Sequence, residues 1–280
     1  MWLKHGNSFE WTTNNHTGRP ASALGTSVTP AQNAKGSWAE ILSDLAFDVW
    51  AVTIIISGTT VAAQIKDTLT DIGIDPAGGT SYTTVIPNLV ASGVAAVVNG
   101  DLGVAYHFPM HIPAGAAVAA RSSVNNATVG TVSVYIQVWG KPSRPELVKK
   151  GFSVEAFGID TANSRGTAVT CGTTSEGAWT ELTSGTLSKD YFWAQVGRGV
   201  HDTTMQNALV GMDLAAGDAS TKRVIVDQVW ESGQTTEAAA MWSNPWQGPC
   251  YVPSGSRIYG RAQSSGADDT MSMAAYLMPN

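Results

Sequence analysis

Polar and apolar residues alternate with a period of two along much of this chain. The clearest case is the segment from Thr131 to Val138, in which the apolar members are Val132, Val134, Ile136 and Val138. A period of two places every second side chain on one face of an extended strand. The pattern therefore predicts β-strands with one buried face, whereas segments with a helical period are nearly absent.

Two further strands can be located from the same pattern. The run from Val49 to Ile56 is apolar at both parities, which predicts a strand that is covered on both faces. The last strand of the chain is predicted to bury Met271, Met273, Ala275 and Leu277. A one-residue slip within that strand would turn these side chains to the solvent, so length differences between similar segments must fall in turns.

The chain contains one pattern twice. A first block recurs after 141 residues, since 166 − 25 = 141: Gly25, Thr26, Val28, Thr29, Gly36, Trp38 and Glu40 match Gly166, Thr167, Val169, Thr170, Gly177, Trp179 and Glu181. A second block recurs after 140 residues, since 209 − 69 = 140: Leu69, Ser92, Gly93, Pro109, Pro113, Gly115 and Arg121 match Leu209, Ser232, Gly233, Pro249, Pro253, Gly255 and Arg261. Matches in constant order across most of each half indicate one domain laid down in tandem, and not a solenoid of short units. Trp50 aligns with Trp193 after a small insertion.

The repeat divides the chain into two domains of ordinary size, residues 25–140 and 166–280. Each has room for about eight short strands with frequent turn residues, which favours a two-sheet antiparallel sandwich. We therefore predict an all-β protein of two tandem jelly-roll domains that arose by internal duplication. An immunoglobulin-like sandwich is the alternative, although neither half has the Cys, Trp, Cys spacing of that fold.

Two segments lie outside the repeated domains. Residues 1–24 are interpreted as an N-terminal arm, in which Trp2, Phe9 and Trp11 lack the periodicity of a core. These aromatic side chains should therefore contact a domain surface or a neighbouring subunit, and a frayed terminus is the alternative. Residues 141–165 contain the prolines and lysines expected of an interdomain linker.

Composition narrows the range of partners. Charged residues make up only 14% of the chain and the net charge is −6, with no cluster of lysine and arginine among aromatic residues. An acidic surface repels phosphate, so we expect no direct contact with nucleic acid. No apolar run reaches the roughly 20 residues that cross a bilayer, and we expect neither secretion nor membrane insertion. Cys171 and Cys250 are expected to be free thiols, with a disulfide between them as the alternative.

The repeated motifs resemble those of a known group of proteins. The ordered elements are Gly-Thr-x-Val-Thr from Gly25, Gly-x-Trp-x-Glu from Gly36, and Ile-Pro-x-Gly from Ile112 with Arg121 beyond it, each with a partner in the second half. They are similar to those of tandem jelly-roll accessory proteins of tailed bacteriophage virions. Members of that group serve as head decoration, spike or collar components and commonly assemble as trimers or rings. The resemblance implies a structural role in the virion, with major capsid or neck proteins and copies of the same chain as partners.

The sequence offers no complete set of metal ligands. His107 and His111 lie four residues apart, which is about 13 Å on a straight strand, and no third ligand is evident nearby. We therefore interpret both histidines as polar contacts. The segment from Gly73 to Gly79, with Asp71 and Asp75, has some features of an acidic calcium loop but is interpreted as a turn. No metal and no cofactor are expected.

Glu40 and Glu181 each follow a repeated tryptophan by two residues, which favours an outward or edge-facing glutamate beside an aromatic ring, with a catalytic pair of carboxylates as the alternative. They belong to different domains, however, whereas a glycoside hydrolase holds its two carboxylates about 5 to 9 Å apart. A pairing of Glu40 with Arg121, and of Glu181 with Arg261, would explain both recurrences. No nucleophile motif or phosphate-binding loop is present, and we expect no enzymatic activity.

The loop from Ala240 to Tyr251 carries Trp242 and Trp246 between prolines and a glycine. Exposed tryptophans offer a large apolar area for contacts, so we interpret the loop as a subunit interface, with a stacking platform for sugar rings as the alternative. The resulting hypothesis is a non-enzymatic virion protein that decorates or stabilises the capsid or neck through protein–protein contacts. The alternative hypothesis is a carbohydrate-binding adhesin that recognises a host-surface glycan.

Overall fold

The computed structural model describes residues 10–13, 25–57, 66–93, 104–125, 130–140, 152–161, 166–198, 209–233, 240–241, 247–266 and 269–280. Every regular element in these ranges is a β-strand. The first half holds β1 (Glu10–Thr13), β2 (Thr26–Val28), β3 (Ala31–Gln32), β4 (Ala39–Leu42), β5 (Val49–Ser57), β6 (Lys66–Asp75), β7 (Thr83–Gly93), β8 (Val104–Phe108), β9 (Ala117–Val124) and β10 (Val132–Gly140). The second half holds β11 (Glu155–Phe157), β12 (Thr167–Gly172), β13 (Thr180–Glu181), β14 (Tyr191–Arg198), β15 (Leu209–Gly217), β16 (Lys222–Gly233), β17 (Ala240–Met241), β18 (Gln247–Val252), β19 (Arg257–Ser264) and β20 (Thr270–Pro279). Within these ranges no helix has the length and apolar character needed to cross a membrane.

The strands form the same two sheets in each half. In the first half the strand orders are β2-β10-β5-β8 and β4-β9-β6-β7. In the second half they are β12-β20-β14-β18 and β13-β19-β15-β16. Eight antiparallel strands shared between two sheets in this order are a jelly roll. The prediction of an all-β protein with two tandem sandwiches is confirmed, and we call the halves the first and second jelly roll.

The two jelly rolls pair their strands in the same register, residue for residue, wherever the sequence repeats. Glu40 lies across from Ala119 in the pair β4–β9, and Glu181 lies across from Tyr259 in the pair β13–β19. The two shifts are 181 − 40 = 141 and 259 − 119 = 140, which are the shifts of the two sequence blocks. The parallel pairs β3–β9 and β12–β19 also match.

The alignment of Trp50 with Trp193 is wrong by one residue. Trp50 and Trp193 both lie at a β-bulge. At that point β5 has one extra residue opposite β10, and β14 has one extra residue opposite β20. Ala51 lies across from Trp139, and Trp193 lies across from Met278 at the matching position. The extra residue is Trp50 in β5, and its counterpart in β14 is therefore the residue before Trp193.

One proline explains why the first jelly roll has two separate sheets while those of the second are joined. Pro30 lies between β2 and β3, and Cys171 holds the matching place, since 171 − 30 = 141. The Cys171 N–H donates to Asp269 O over 2.8 Å, so β12 runs without a break from one sheet into the other. Proline has no N–H to donate, and the ladder of the first jelly roll is interrupted there.

The predicted linker contains a strand that matches the arm. Within residues 141–165, β11 pairs with β20 from Glu155↔Leu277 to Phe157↔Ala275. In the first half β1 pairs with β10 from Glu10↔Gly140 to Thr13↔Gln137, which is the corresponding part of that strand. An arm strand therefore precedes each jelly roll, and part of the predicted linker belongs to the sheet of the second one.

The predicted alternation is seen in β10 and β20, the closing strands of the two jelly rolls, but their second faces differ in burial. In β10 the apolar positions from Val132 to Val138 are buried and the residues between them are half-buried. In β20, Met271, Met273, Ala275 and Leu277 enter the core of the second jelly roll as predicted. The opposite face of β20 is also buried, because it packs against the core of the first jelly roll. For β5 the prediction of two covered faces is wrong, since its second face is only half-buried.

Candidate functional site

An arginine, an aspartate and a tryptophan form a cluster in the first jelly roll. Arg121 in β9 lies directly across from Asp71 in β6. The Arg121 Nε donates to Asp71 Oδ2 over 3.0 Å, and the guanidinium carbon lies 4.5 Å from the centre of the Trp38 ring. Gly73 makes room for this ring, because a Cβ at that position would lie 2.6 Å from it. The guanidinium thus satisfies a buried carboxylate and also contacts an aromatic face.

The second jelly roll holds the same cluster. Arg261 in β19 lies across from Asp213 in β15, and its Nε donates to Asp213 Oδ2 over 2.8 Å. The guanidinium carbon lies 4.3 Å from the centre of the Trp179 ring. The arginines and tryptophans were identified from the repeat, whereas the aspartates were not. The reason is a shift of 213 − 71 = 142, while matching Leu69 to Leu209 assigned this strand a shift of 140.

The predicted pairing of Glu40 with Arg121 is wrong. Glu40 is exposed, and its Oε2 accepts a hydrogen bond of 2.8 Å from the Tyr82 hydroxyl. Its partner across the sheet is Ala119, which lies two residues, or about 6.6 Å, from Arg121 along β9. Asp71 lies directly across from Arg121 and takes the guanidinium instead.

The predicted pairing of Glu181 with Arg261 is wrong for the same reason. Glu181 lies across from Tyr259, two residues before Arg261 on β19. Its carboxylate accepts hydrogen bonds of 2.8 and 2.7 Å from Arg257, which lies two residues further from Arg261. The repeated glutamates are therefore surface groups with different partners in the two halves.

A third charge distinguishes the two clusters. Lys35 Nζ lies 2.7 Å from Asp71 Oδ1 in the first jelly roll. At the matching position, since 176 − 35 = 141, the second jelly roll has Glu176, whose Oε2 lies 2.5 Å from Arg261 Nη2. One carboxylate therefore holds two cations in the first half, and one cation is shared by two carboxylates in the second.

Desolvation shifts the pKa values of Lys35 and Glu176 towards their neutral forms. Burial lowers the pKa of Lys35, although the neighbouring Asp71 opposes that change. Desolvation, followed by the hydrogen bond and the charge of Asp213, raises the pKa of Glu176 above its ordinary value. In both cases the charged form is less favoured than it is in water.

Tyr276 of β20 lies at the centre of the contact between the two jelly rolls. The Tyr276 hydroxyl donates to Asn88 O over 2.7 Å and accepts from Val90 N over 3.0 Å. Both are backbone groups of β7, which is the last strand of its sheet, and such groups otherwise remain open for pairing. The Tyr106 hydroxyl donates to Val90 O over 2.5 Å, and its ring meets the Tyr276 ring edge to face at 5.4 Å. The second jelly roll therefore covers the sheet edge of the first.

Further contacts extend this junction along both sheets of the first jelly roll. The His107 N–H of β8 donates to Gln195 Oε1 over 3.3 Å, and the Val154 N–H donates to Val85 O over 2.7 Å. Gly197 is required in β14, because a Cβ there would lie 2.4 Å from the Tyr276 ring. Trp193, Ala274 and Met278 of the second half complete the packing and belong to the core of the first.

The histidines that were considered as metal ligands have separate partners. His107 Nδ1 lies 2.9 Å from Thr53 Oγ1, and burial lowers the pKa of this histidine. His111 Nε2 lies 4.0 Å from Asp48, and its ring contacts Phe152. The described residues contain no group of three or more candidate ligands that could hold a metal.

The acidic loop and the cysteines have structural explanations. Asp75 accepts hydrogen bonds from the Ala77 and Ser81 N–H groups, so it closes the turn after β6 as predicted. Cys171 is buried and Cys250 is half-buried, and the two are not joined. Burial raises the pKa of each thiol to about 11, which keeps both protonated at neutral pH.

Five aromatic residues were predicted to mediate assembly. The structure places the backbone of Trp11 in β1, across from Trp139 of β10. Trp2, Phe9, Trp242 and Trp246 lie outside the described residues. Their role in assembly stays a prediction.

No protein-family model matches the chain, and no curated protein sequence matches it. Among solved structures, it is similar to PNGase F, a glycosylasparaginase from Flavobacterium meningosepticum, with a TM-score of 0.38 and 7% identity over 98% of this chain and 96% of that one. It is also similar to the empty top component of cowpea mosaic virus, with a TM-score of 0.30 and 9% identity over 94% of each chain. A third likeness is to the stem and receptor-binding domain of spike protein P1 from bacteriophage PM2, with a TM-score of 0.15 and 12% identity over 98% of this chain and 96% of that one. Likenesses at this level do not distinguish one function from another.

Proposed function

We propose that this chain is a non-enzymatic structural protein of a bacteriophage virion, which decorates or stabilises the capsid or neck through protein–protein contacts. The observation that carries the proposal is that the recurring side chains stabilise the sheets. The clusters around Arg121 and Arg261 tie neighbouring strands of one sheet together. What the duplication preserved is therefore the mechanical integrity of each jelly roll.

The junction between the jelly rolls supports an assembly role, because it shows how these domains associate. A sheet face that carries Tyr276 packs onto the open edge of another jelly roll and satisfies its backbone groups. The contact combines apolar burial with hydrogen bonds between one side-chain hydroxyl and the backbone of a strand edge. The same physical interaction could join one chain to the next.

The N-terminal arm also supports the proposal. Strand β1 is bound to β10 by a short antiparallel ladder of four residue pairs. A strand of this length gives modest stability by itself, and the segment around Trp2 and Phe9 offers apolar area for a neighbouring subunit. We propose that the arm binds a capsid or neck protein or a second copy of the chain, in a trimer or ring.

Size-exclusion chromatography with light scattering tests this proposal. The intact chain should be a trimer or a larger ring, and replacing Trp2, Phe9 and Trp11 together by alanine should reduce its mass to that of the monomer or abolish its binding to purified capsids. The matched control is Phe152→Ala, which removes an aromatic side chain that is 70% exposed just before β11. A wild-type monomer that binds no capsid or neck protein would contradict the proposal.

The second candidate function is a carbohydrate-binding adhesin. One observation favours it, a groove lined by Tyr251 of β18, the strand that follows Trp242 and Trp246 in the sequence. Glycan-array binding that is lost in a Trp242→Ala, Trp246→Ala double variant with intact assembly would support this candidate. Unchanged binding in the double variant would show that the two tryptophans do not form the glycan site.

A further inference from the structure

The second jelly roll has a groove where a turn is shorter than its counterpart. Strands β15 and β16 are joined by residues 218–221, whereas β6 and β7 are joined by residues 76–82. The groove has a volume of about 550 Å³ and lies between the short turn and the turn at residues 253–256. This volume is within the range of small-ligand sites, which is roughly 300 to 1,000 Å³.

In the first jelly roll the longer turn lies on the corresponding surface. A Cβ on Gly78 would lie 2.7 Å from the Gly115 carbonyl oxygen, so the two turns are in direct contact. Gly255 is the counterpart of Gly115, since 255 − 115 = 140, and it lines the groove. The deletion within the turn therefore exposes a surface that the first jelly roll covers.

One carboxylate lines the groove, and a second binds two of the lining residues from behind. Asp218 Oδ1 accepts hydrogen bonds from Ser220 N, Ser220 Oγ and Thr221 N at 2.7, 2.7 and 2.6 Å. These donors, the Ser220 hydroxyl first, lower the pKa of Asp218, so it stays ionised and fixed in its turn. Asp190 accepts from Ser254 N over 2.7 Å and from the Tyr251 hydroxyl over 3.4 Å. The acceptors at this site thus serve the protein's own turns.

Arg223 is the cationic donor in the lining of the groove. Its Nη2 donates to the Tyr251 carbonyl oxygen, which places the guanidinium beside the wall of the groove. A guanidinium has five N–H donors, and the others remain for a ligand with a planar anionic group. Arg223 therefore presents N–H donors of a geometry that suits a carboxylate.

Tyr251 supplies the complementary apolar surface. Its ring is 55% exposed in the groove, and its hydroxyl is directed to Asp190. The face of an aromatic ring attracts the weakly positive C–H face of a pyranose ring. The Tyr251 side chain is held by the backbone at one end and by its hydroxyl at the other, so it loses little conformational entropy when a ligand binds. A sugar on Tyr251 would have its substituents within reach of the Arg223 side chain, because both residues line the same groove.

We propose that the groove between residues 218–221 and 253–256 binds a pyranose that carries a carboxylate, with the carboxylate on Arg223 and the sugar ring on Tyr251. The site lies in the second jelly roll alone, because the first has Thr83 and His111 at the matching positions, since 223 − 83 = 140 and 251 − 111 = 140. The proposal deepens the adhesin candidate and is independent of the assembly role.

The experiment is a titration of the intact chain with N-acetylneuraminic acid and glucuronic acid, followed by saturation-transfer NMR and calorimetry. Galactose and glucose serve as neutral probes, and acetate serves as the bare anion. We expect the acidic sugars to bind in preference to the neutral ones and to acetate. Arg223→Thr, which introduces the residue of the first jelly roll, should weaken binding of the acidic sugars by about ten- to a hundredfold, the value of a charge-assisted hydrogen bond pair.

Tyr251→Ala should weaken the acidic sugars but leave acetate unchanged, which separates stacking from charge recognition. His111→Ala is the matched control and should change nothing. The proposal is overturned if neutral and acidic sugars bind alike, if acetate competes as well as the sugars, if Arg223→Thr has no effect, or if no acidic sugar binds at millimolar concentration. Light scattering on the same samples reports assembly, so a failure of this site is distinguishable from a failure of the virion proposal.

Discussion

The two jelly rolls share an Asp–Arg–Trp cluster but differ in the charge beside it. Asp71 holds both Arg121 and Lys35, whereas Arg261 is shared by Asp213 and Glu176. The duplicated part is the contact across neighbouring strands, which the fold needs in each copy. The third charge only adjusts the balance, and it reversed sign without loss of the cluster.

The face of the closing strand that points away from its own core also differs between the two halves. Tyr276 of β20 is fully buried at the junction, and the matching residue of β10 is the half-buried Gln137, since 276 − 137 = 139. The packing of the domains is therefore specified by a few residues that the repeat does not share. These two differences can be tested separately, beginning with the larger effect.

Replacing Tyr276 by alanine should have one of the two largest effects on stability. It removes a buried aromatic side chain and leaves the backbone groups of Val90 and Asn88 without their partner, so the free energy of unfolding should fall by about 3–5 kcal/mol. Gln137→Ala is the matched control and should change it by no more than about 0.5 kcal/mol. Urea denaturation measures both values. Similar losses in the two variants would contradict the assigned junction.

Tyr276→Phe isolates the hydroxyl from the ring. The packing should survive, while the Val90 amide loses its acceptor and exchanges its hydrogen faster than in the wild type. Hydrogen exchange read residue by residue detects this change. An unaltered Val90 rate would show that the hydroxyl does not cover the strand edge.

Removing the cluster aspartates should cost more in the first jelly roll than in the second. Asp71→Ala leaves Lys35, whose side chain is only 10% exposed, and Arg121 without a carboxylate, which should cost about 3–5 kcal/mol. Asp213→Ala leaves Arg261 paired with Glu176 and should cost about 1–3 kcal/mol. The comparison is made by urea denaturation of both variants. An equal or larger loss for Asp213→Ala would contradict the role given to Glu176.

Exchanging the third charges should produce effects of opposite sign. Lys35→Glu places a second carboxylate beside Asp71 and should destabilise the first jelly roll by about 1–3 kcal/mol. Glu176→Lys gives Asp213 a second cation and should change stability by between zero and about 1 kcal/mol in the favourable direction. Losses in both variants would show that the two clusters are not interchangeable.

The smallest effect is expected from pH. Because the pKa of Glu176 is raised in the folded chain, the folded state binds this proton more tightly than the unfolded state does. The resulting stabilisation is fully present below the ordinary value of 4.5 and is lost as the pH rises through the higher folded value. Glu176→Gln should remove this part of the pH dependence, as measured from urea midpoints across that interval. An unchanged profile would contradict the assignment.

The fold was predictable from the sequence because its signals are local. Alternation in β10 and the positive φ of the glycines at the repeated turns are properties of short segments. Gly25 and Gly166 have positive φ, and a side chain at either position would meet the backbone of the closing strand. Such positions recur in both halves with a constant shift, and the jelly roll follows from them.

The contacts that depend on a third strand were not predictable in the same way. The repeat identified Arg121 and Glu40 and suggested that they pair, yet the register places Asp71 closer to the arginine. A search for an aspartate that recurs with a shift of 142 would have found Asp71 and Asp213. The run from Met273 to Met278 is apolar at both parities and so indicates a strand with two covered faces, but it does not show that the first jelly roll covers Tyr276.

Cryo-electron microscopy of virus particles from the chain's own source tests the central claim most directly. The account predicts paired jelly rolls, joined as they are at Tyr276, repeated with rotational symmetry on the capsid or neck. Particles that lack this chain altogether would contradict it.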